Sequence, residues 1–395
     1  MIVLICNAGS TSLKFKLFDM PAETVLASGK IERVGSADDA IFGYEDATRT
    51  IHREGQNIPD YRTGVREFMR LLLKKDGGML CALSQIDRVG FKTVVSKGYF
   101  GVHELTEDVL QGMKDWMIIA RTHSEPYLEV IDTVRQALPE AIFIGSFETG
   151  FHTTIPLHRR VYDLPYEWYE RFGVQRLGYH GASHGFIADT LNAQIGPRYK
   201  AISCHMGGSS SVCAIEDGKS ADTSFGMSLQ TGVIHGSRTG DMDCDLVWFL
   251  ETLGLSRAQI EEGMKKQGGM LGLSGVSADL RYIEAAAQQG HDRAQLALDR
   301  YIYDLVRYIG AFYAVLGGMD TLVFTGGIGE NSPYVRRRVC EALAHMGVTI
   351  NQNTNEACRG NAAVLSDPEA PVLVQIIPTN EEVGIARRAY AYSVQ

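Results

Sequence analysis

The most constraining stretch of this chain is its first twenty residues, MIVLICNAGSTSLKFKLFDM. An apolar run (2–6), a turn of small residues (Asn7-Ala8-Gly9-Ser10-Thr11-Ser12) and an alternating run (13–18) predict strand, loop, strand. Leu13, Phe15 and Leu17 fall on one face of the second strand, and Lys14, Lys16 and Phe18 on the other. The turn is longer than a tight hairpin turn. It is rich in backbone N–H groups, hydroxyls and one amide, so it can wrap a phosphate. The pattern returns in the second half of the chain: 200–205 reads as a strand, Met206-Gly207-Gly208-Ser209-Ser210-Ser211 as the turn, and 212–215 as the returning strand. Laying Gly9 on Gly208 puts Ser10 on Ser209 and Ser12 on Ser211. Two phosphate-sized loops at matching places predict a duplicated fold that grips a polyphosphate. Two ordinary Ser-rich hairpins are the plainer alternative.

At roughly 100–200 residues per domain, the 395 residues allow two or three domains. Hydrophobic residues make up 45%, enough for a large core. The net charge of -9, without a basic stripe, argues against nucleic acid or an anionic membrane as the main partner. An anionic substrate stays open, because a site can be locally positive. There is no signal-peptide pattern, and no run approaches the roughly 18–20 apolar residues that span a bilayer. Seven cysteines without C-x-x-C spacing are expected as buried free thiols in a reducing cytoplasm.

Residues 25–34 read as another strand, and the polar, Gly/Asp-rich 36–60 as short strands and loops. An amphipathic helix is predicted over 62–75, with Val65, Phe68, Met69 and Leu72 at helical spacing. A strand (89–95), a helix (106–117), a polar elbow (121–126), a helix (127–137) and a strand (141–147) follow. That alternation predicts an α/β unit. The second half repeats the order. It includes a helix over 293–316 with a core face of Leu296, Leu298, Ile302, Leu305, Ile309, Phe312 and Leu316. A strand (321–324) then feeds Gly326-Gly327-Ile328-Gly329-Glu330-Asn331-Ser332, the kind of Gly-rich turn where open α/β sheets bind ligands. We expect one domain over 1–150 and a second over 151–382, with the last helix (about 383–395) packing back on the first.

Familiar nucleotide motifs fail: there is no G-x-x-x-x-G-K-[ST], and Gly327-Ile328-Gly329 lacks the third glycine of G-x-G-x-x-G. Asp241-Met242-Asp243-Cys244-Asp245 begins like a calcium loop, but Leu246 replaces its glycine, so it reads as a helix N-terminus. Four segments remain. They are Gly178-Tyr179-His180-Gly181-Ala182-Ser183-His184, Gly236-Ser237-Arg238-Thr239-Gly240-Asp241, Phe147-Glu148-Thr149-Gly150-Phe151-His152 and Pro378-Thr379-Asn380-Glu381-Glu382. Phosphoryl transfer needs this inventory: cations for the equatorial oxygens, an acid to orient the nucleophile, and oxygens for Mg²⁺. Each segment alone is more often structural, and only their combination with two phosphate loops favours function.

On these residues the chain resembles the acetate kinase family of the sugar kinase/Hsp70/actin superfamily, nearly end to end. Asn7 to Phe15 is similar to that family's opening signature, 179–184 and 236–241 to its central motifs, 326–332 to its adenosine loop and 378–382 to its closing motif. The resemblance implies an α/β fold of two duplicated actin-like ATPase domains, each a mixed sheet flanked by helices. It also implies a homodimer and Mg²⁺-ATP-dependent phosphorylation of a short carboxylate to an acyl phosphate. By position, His180 and Arg238 would stabilise the transferring phosphoryl group, with His123 lining its site and Glu148 orienting the acid. Asn7 and Glu381 would hold Mg²⁺, with Lys14 and Ser12 near the phosphates. ATP would bind at His205, Met206, Gly207, Gly208, Ser209, Asp279, Leu280, Arg281, Gly327, Ile328, Gly329, Glu330 and Asn331.

The chain departs from that family at the acid site. Glu148 stands where the family has aspartate. The family's substrate arginine falls on Lys92 or Thr93, which give a point charge or none in place of a bidentate fork. Thr122, flanked by Arg121, replaces an apolar leucine, Tyr179 a phenylalanine, and Leu229 a proline. These changes, with Lys97 close in sequence, predict a more polar acyl pocket and a carboxylate other than plain acetate. Two other functions are weighed: a nucleotide-binding pseudoenzyme or sensor that has lost transfer, and a sugar or polyol kinase with Glu148 as base.

Overall fold

Val3, Leu4, Ile5 and Cys6 are fully buried, the signature of a strand covered on both faces, and the first sheet is built outward from them. The computed structural model describes residues 1–9 and 11–393, with Ala37 and Thr122 described by their backbone alone. The chain divides into two units, Met1–Gly150 with Asn380–Gln395, and Phe151–Thr379.

In the first unit, β1 (Ile2–Ala8), β2 (Ser12–Asp19), β3 (Thr24–Glu32), β4 (Ser36–Asp46), β5 (Thr50–Ile58), β6 (Arg88–Thr93), β7 (Val102–Glu104) and β8 (Ile142–Phe147) form one sheet. Its order is β5-β4-β3-β2-β1-β6-β8-β7. β1, β6 and β8 run parallel; β2 and β3 pair antiparallel on one side and β7 on the other. The helix Tyr61–Leu72, capped by Asp60, sets the Phe68 ring on Phe15 with centroids 4.3 Å apart. Gly29 makes room for it, since a Cβ there would stand 2.4 Å from the Phe68 ring. On the other face the helix Glu381–Ala391 lays Ile385 and Ala389 over Gly90, and Arg88 ties down its last carbonyls.

In the second unit, β9 (Lys200–His205), β10 (Ser211–Glu216), β11 (Lys219–Thr223), β12 (Thr321–Thr325), β13 (Ala363–Val364) and β14 (Leu373–Ile376) take the order β11-β10-β9-β12-β14-β13. Strand for strand this repeats β3-β2-β1-β6-β8-β7, with the same parallel and antiparallel pairings. The helix Asp292–Leu316 covers one face through Leu298, Tyr301, Ile302, Leu305 and Phe312. The helix Gly181–Ile195 covers the other through Ile187, Ala188 and Leu191.

The structure corrects four local expectations. Residues 36–60 form two long paired strands, because the alternation that marks them is diluted by polar residues on an open face. The elbow at 121–126 is helical: one helix runs Met117–Ala137, and its break lies earlier, at Ala120 (φ -144°, ψ 40°). Leu296 is 55% exposed, and Ala294, Ala297 and Tyr301 take its place in the core. Cys6, Cys204, Cys213 and Cys340 are buried free thiols, but Cys81 and Cys244 are exposed. Among the described residues no helix is long and apolar enough to cross a membrane.

Candidate active site

In the second unit the strand ends of β9 and β12 are stitched together at Met206. Its N–H donates to the Thr325 carbonyl (2.9 Å), and its carbonyl accepts from the N–H groups of Ile328 (2.8 Å) and Gly329 (3.4 Å). Gly326 has φ +77°, and a Cβ there would stand 2.8 Å from the Met206 oxygen, so the turn admits no side chain. Arg336, fully buried, holds the Gly329 carbonyl (2.8 Å) from behind and spends its other donors on Asn355 and Cys358.

Beside these strand ends opens a cavity of about 720 Å³, lined by Gly207, Gly208, Asp279, Leu280, Arg281, Gly327, Ile328 and Asn331. Its volume suits a nucleoside. Ala278, Glu284 and Ser332 line it too and were missed. Leu280 and Glu284 share one face of the helix Leu280–Gln288, an i,i+4 relation that offered a signal. The Ser332 hydroxyl donates to Glu284 (2.5 Å), and burial pushes that carboxyl up. Five predicted nucleotide residues of this unit stand off the cavity: His205, Met206, Ser209, Gly329 and Glu330. Met206 is a core side chain, Gly329 packs on Phe324, and Glu330 turns back to accept from the N–H groups of Gly326 (2.9 Å) and Thr379 (3.4 Å). Asp279 caps its helix and pairs with Arg281, an exposed contact of small energetic weight.

The same loop leads to a half-buried cation and a group of imidazoles. The Gly236 N–H donates to the Gly208 carbonyl (2.9 Å), bringing the 235–240 loop against the 207–209 turn. Arg238 donates to the Ser209 hydroxyl, and burial lowers its pKa to about 10, so it stays charged at neutral pH. Asp241 anchors this loop: it accepts from the Gly232 N–H (2.8 Å), Arg307 (2.9 Å) and the Tyr308 hydroxyl (2.5 Å). The helix read from 241 onward begins only at Asp245.

His180 caps the helix Gly181–Ile195 in a left-handed conformation (φ 56°, ψ 27°), a strain that side chains other than glycine rarely adopt. Its Nδ1 meets the Ser211 hydroxyl (2.8 Å), which also meets His184 Nε2 (2.8 Å), while His184 Nδ1 meets Ser203 (3.0 Å). The His205 ring lies 4.1 Å from that of His180, and its Nδ1 meets Ser183 (2.9 Å). Burial keeps His152 (pKa lowered to about 4), His184 and His235 below the ordinary histidine range, so all three are neutral at pH 7. Tyr179 is buried, with its hydroxyl given to the Met227 carbonyl (2.5 Å) and its ring edge-on to Phe225. That hydroxyl is therefore engaged by a backbone carbonyl.

In the first unit, a second cluster forms where β1, β6 and β8 end. The Tyr127 hydroxyl donates to Asn7 Oδ1 (2.9 Å). Lys92 Nζ donates to Glu381 Oε2 (2.6 Å), with the two side chains 20% and 13% exposed. Burial opposes the ammonium charge, yet Glu381, and after it Glu148 and Tyr127, hold its pKa above the ordinary lysine value. Glu148 is 3% exposed, and its N–H donates to the Thr93 carbonyl (2.9 Å). Thr93 itself is fully buried, with a hydroxyl that finds no hydrogen-bond partner among the described residues. Of Lys92 and Thr93, Lys92 is the one that brings a positive charge to this cluster. The loop after β1 closes through the Gly9 N–H to the Ser12 carbonyl (2.8 Å), and the Tyr61 hydroxyl holds Gly9 (2.6 Å). Lys14 is exposed, in register with Asn7. His123 is half-buried on the helix Met117–Ala137, while Lys97 and Arg121 are exposed. Ser10 and the side chain of Thr122 lie outside the described residues.

Duplicated mixed sheets of this topology, flanked by helices, belong to the actin-like ATPase and sugar-kinase class. A model of the acetokinase family matches residues 2–387. The acetate kinase of Geobacillus kaustophilus is 40% identical over 390 residues, covering 98% of this chain and 97% of the relative. That of Carboxydothermus hydrogenoformans is 38% identical over 392 residues, covering 98% of each. Among solved structures, Porphyromonas gingivalis acetate kinase has a TM-score of 0.88 at 35% identity, covering 98% of both chains. A propionate kinase from Francisella tularensis reaches 0.90 at 26% identity, covering 99% of this chain and 100% of that one. The chain belongs to the acetokinase family, and is thus a phosphotransferase with a carboxyl group as acceptor.

Proposed function

We propose that this chain is a Mg²⁺-ATP-dependent carboxylate kinase that makes an acyl phosphate by direct in-line transfer. The observation that carries the proposal is the half-buried Arg238 guanidinium beside the Gly207-Gly208-Ser209 turn, at the edge of a nucleoside-sized cavity. A carboxylate oxygen of the acid attacks the γ-phosphorus, the bond to the β,γ-bridging oxygen breaks, and ADP leaves with that electron pair. The acid is already anionic at neutral pH, so the protein has no proton to remove, and catalysis reduces to positioning and charge. In the second unit Arg238 and His180 act on the transferring group, and in the first unit His123 is assigned to the phosphoryl group. Glu148 orients the acid. The Gly-rich turns at 207–209 and 327–331 hold the nucleotide, and Lys14 and Ser12 serve its phosphates. On this assignment the second unit is the nucleotide-binding domain.

Asn7 and Glu381 supply the hard oxygen donors that Mg²⁺ takes, and the Lys92 ammonium at Glu381 is a stand-in cation marking that carboxylate as a cation partner. They fit the ion, whose part would be to neutralise phosphate charge. The substrate is a short unsubstituted acid of acetate or propionate size. The expected polar pocket rested on Thr122, Arg121, Tyr179, Lys92 and Lys97; of these, Tyr179 spends its hydroxyl on Met227 and Lys92 its ammonium on Glu381. Hydroxylamine trapping with Mg²⁺-ATP across acetate, propionate, butyrate and hydroxylated, amino and dicarboxylic acids tests both points. We expect hydroxamate from acetate or propionate. Hydroxamate from none, with ATP still binding, would favour the pseudoenzyme.

We also propose a homodimer in the cytoplasm, where buried free thiols stay reduced. In the second unit the helix Asp245–Thr252 has no buried residue, and Trp248 and Phe249 are 60% and 56% exposed. Apolar exposure of that kind marks an interface. Light scattering should give twice the chain's 43.5 kDa, and a monomer mass would overturn the proposal.

A further inference from the structure

We propose that Lys92 is a resident counter-ion of Glu381 that a divalent cation must displace, and that its displacement frees the ammonium to meet the acid substrate. The inference rests on the proposed assignment of Glu381 as a metal carboxylate. Lys92 and Glu381 lie 289 residues apart in the chain, and the fold brings Nζ and Oε2 to 2.6 Å. Both ends are set by packing. β6 is fixed by its parallel neighbours β1 and β8, and Gly90, two residues before Lys92, sits under Ile385 and Ala389 of the helix that begins at Glu381. The backbone that carries each group is thereby held in place, so a divalent ion that joins this carboxylate meets the ammonium already there.

The residue type suits that exchange. Arginine would clamp a carboxylate with two parallel bonds, whereas lysine is a point charge on a flexible four-carbon stem. A divalent ion at Glu381 repels the ammonium and takes over its carboxylate. The stem can then swing, and Glu148 and Tyr127 already lie within its electrostatic reach. An ammonium released beside Glu148 is the charge that an incoming carboxylate needs. Metal binding and acid binding become linked, and linkage is reciprocal: each ligand tightens the other. Lys92 is then a coupling device.

The test titrates MgCl₂ without nucleotide, at constant ionic strength, and reads the rise in thermal midpoint. Wild type, Lys92→Met and Glu381→Gln are compared. Lys92→Met removes the resident cation and should reach half its rise at about tenfold less Mg²⁺, while Glu381→Gln should lose the rise. Equal half-points for wild type and Lys92→Met would overturn the proposal and leave the metal assignment standing. An intact rise in Glu381→Gln would overturn both. The second measurement needs no destabilising variant: the ¹⁵Nζ resonance of Lys92, assigned with Lys92→Arg, should move on adding MgCl₂. A resonance unmoved at saturating Mg²⁺ would also overturn the proposal. Neither arm depends on turnover, so both are independent of the hydroxamate result.

Discussion

Replacing Arg238 with alanine should lower kcat about a thousandfold while nucleotide affinity changes by less than about threefold, a loss of about 4 kcal/mol confined to the transition state. The transferring phosphoryl group spreads its negative charge over three oxygens as the bond to ADP loosens, and a fixed cation gains most there. On the proposed assignment Arg238 meets that need because it is half-buried and still charged, so its field is only partly screened. Its loop is held by contacts that do not involve the side chain: Gly236 on Gly208, and Asp241 on Arg307 and Tyr308. Removing the guanidinium should therefore leave the loop in place. Lysine at 238 should recover part of the rate, since it restores charge without the fork. Steady-state kinetics on both variants, with thermal midpoints as a folding control, decide the matter. A kcat within tenfold of wild type, or a KM for ATP that rises as far as kcat falls, would remove Arg238 from the transition state.

Local chemistry made much of this fold legible. The alternation of Leu13, Phe15 and Leu17 with lysines between them announces β2, and a small-residue turn between apolar runs announces β1–β2 and β9–β10. Gly326 marks a strand end because only glycine fits against Met206. Features decided by distant partners were not legible. Leu296 matches the apolar spacing of its helix, yet which stripe is buried depends on the sheet beneath it. Glu330 sits in a nucleotide-like loop, but its carboxylate satisfies the Gly326 and Thr379 N–H groups, and no spacing rule reports that. The substitution of Lys92 was visible, while its partner Glu381 was not, because nothing local links a strand to a helix at the far end of the chain. Tyr179 misled in the same way: a hydroxyl reads as polar until the Met227 carbonyl is found to hold it.

Acidification should destabilise the second unit well before carboxylate pairs fail. Free histidine titrates near 6.5, and His152 in the folded chain is lowered to about 4, because charging it would bury an ion. A lowered folded pKa means that the unfolded chain takes up the proton first. The stability tied to neutral His152 is full above pH 6.5 and is lost as pH falls from 6.5 through 4. For this one side chain the loss is about 3 kcal/mol, or on the order of 6–12 °C in the midpoint of a unit of this size. His184 and His235 are lowered for the same reason and act in the same direction. Carboxyls complicate the raw curve. Asp222, Glu284, Asp304 and Glu330 are raised by burial and work against the loss, whereas Asp46, lowered to about 2, adds to it only below its ordinary 3.8. These contributions cancel when wild type is compared with His152→Gln. The amide can still reach Ser220 and the Tyr179 carbonyl, the two groups His152 bonds at 2.9 Å, but it does not titrate. Thermal midpoints from pH 7 to pH 4 should therefore converge, with wild type falling faster than the variant as the buried imidazole becomes a liability. Parallel curves would mean that His152 takes up its proton as readily inside the fold as outside it.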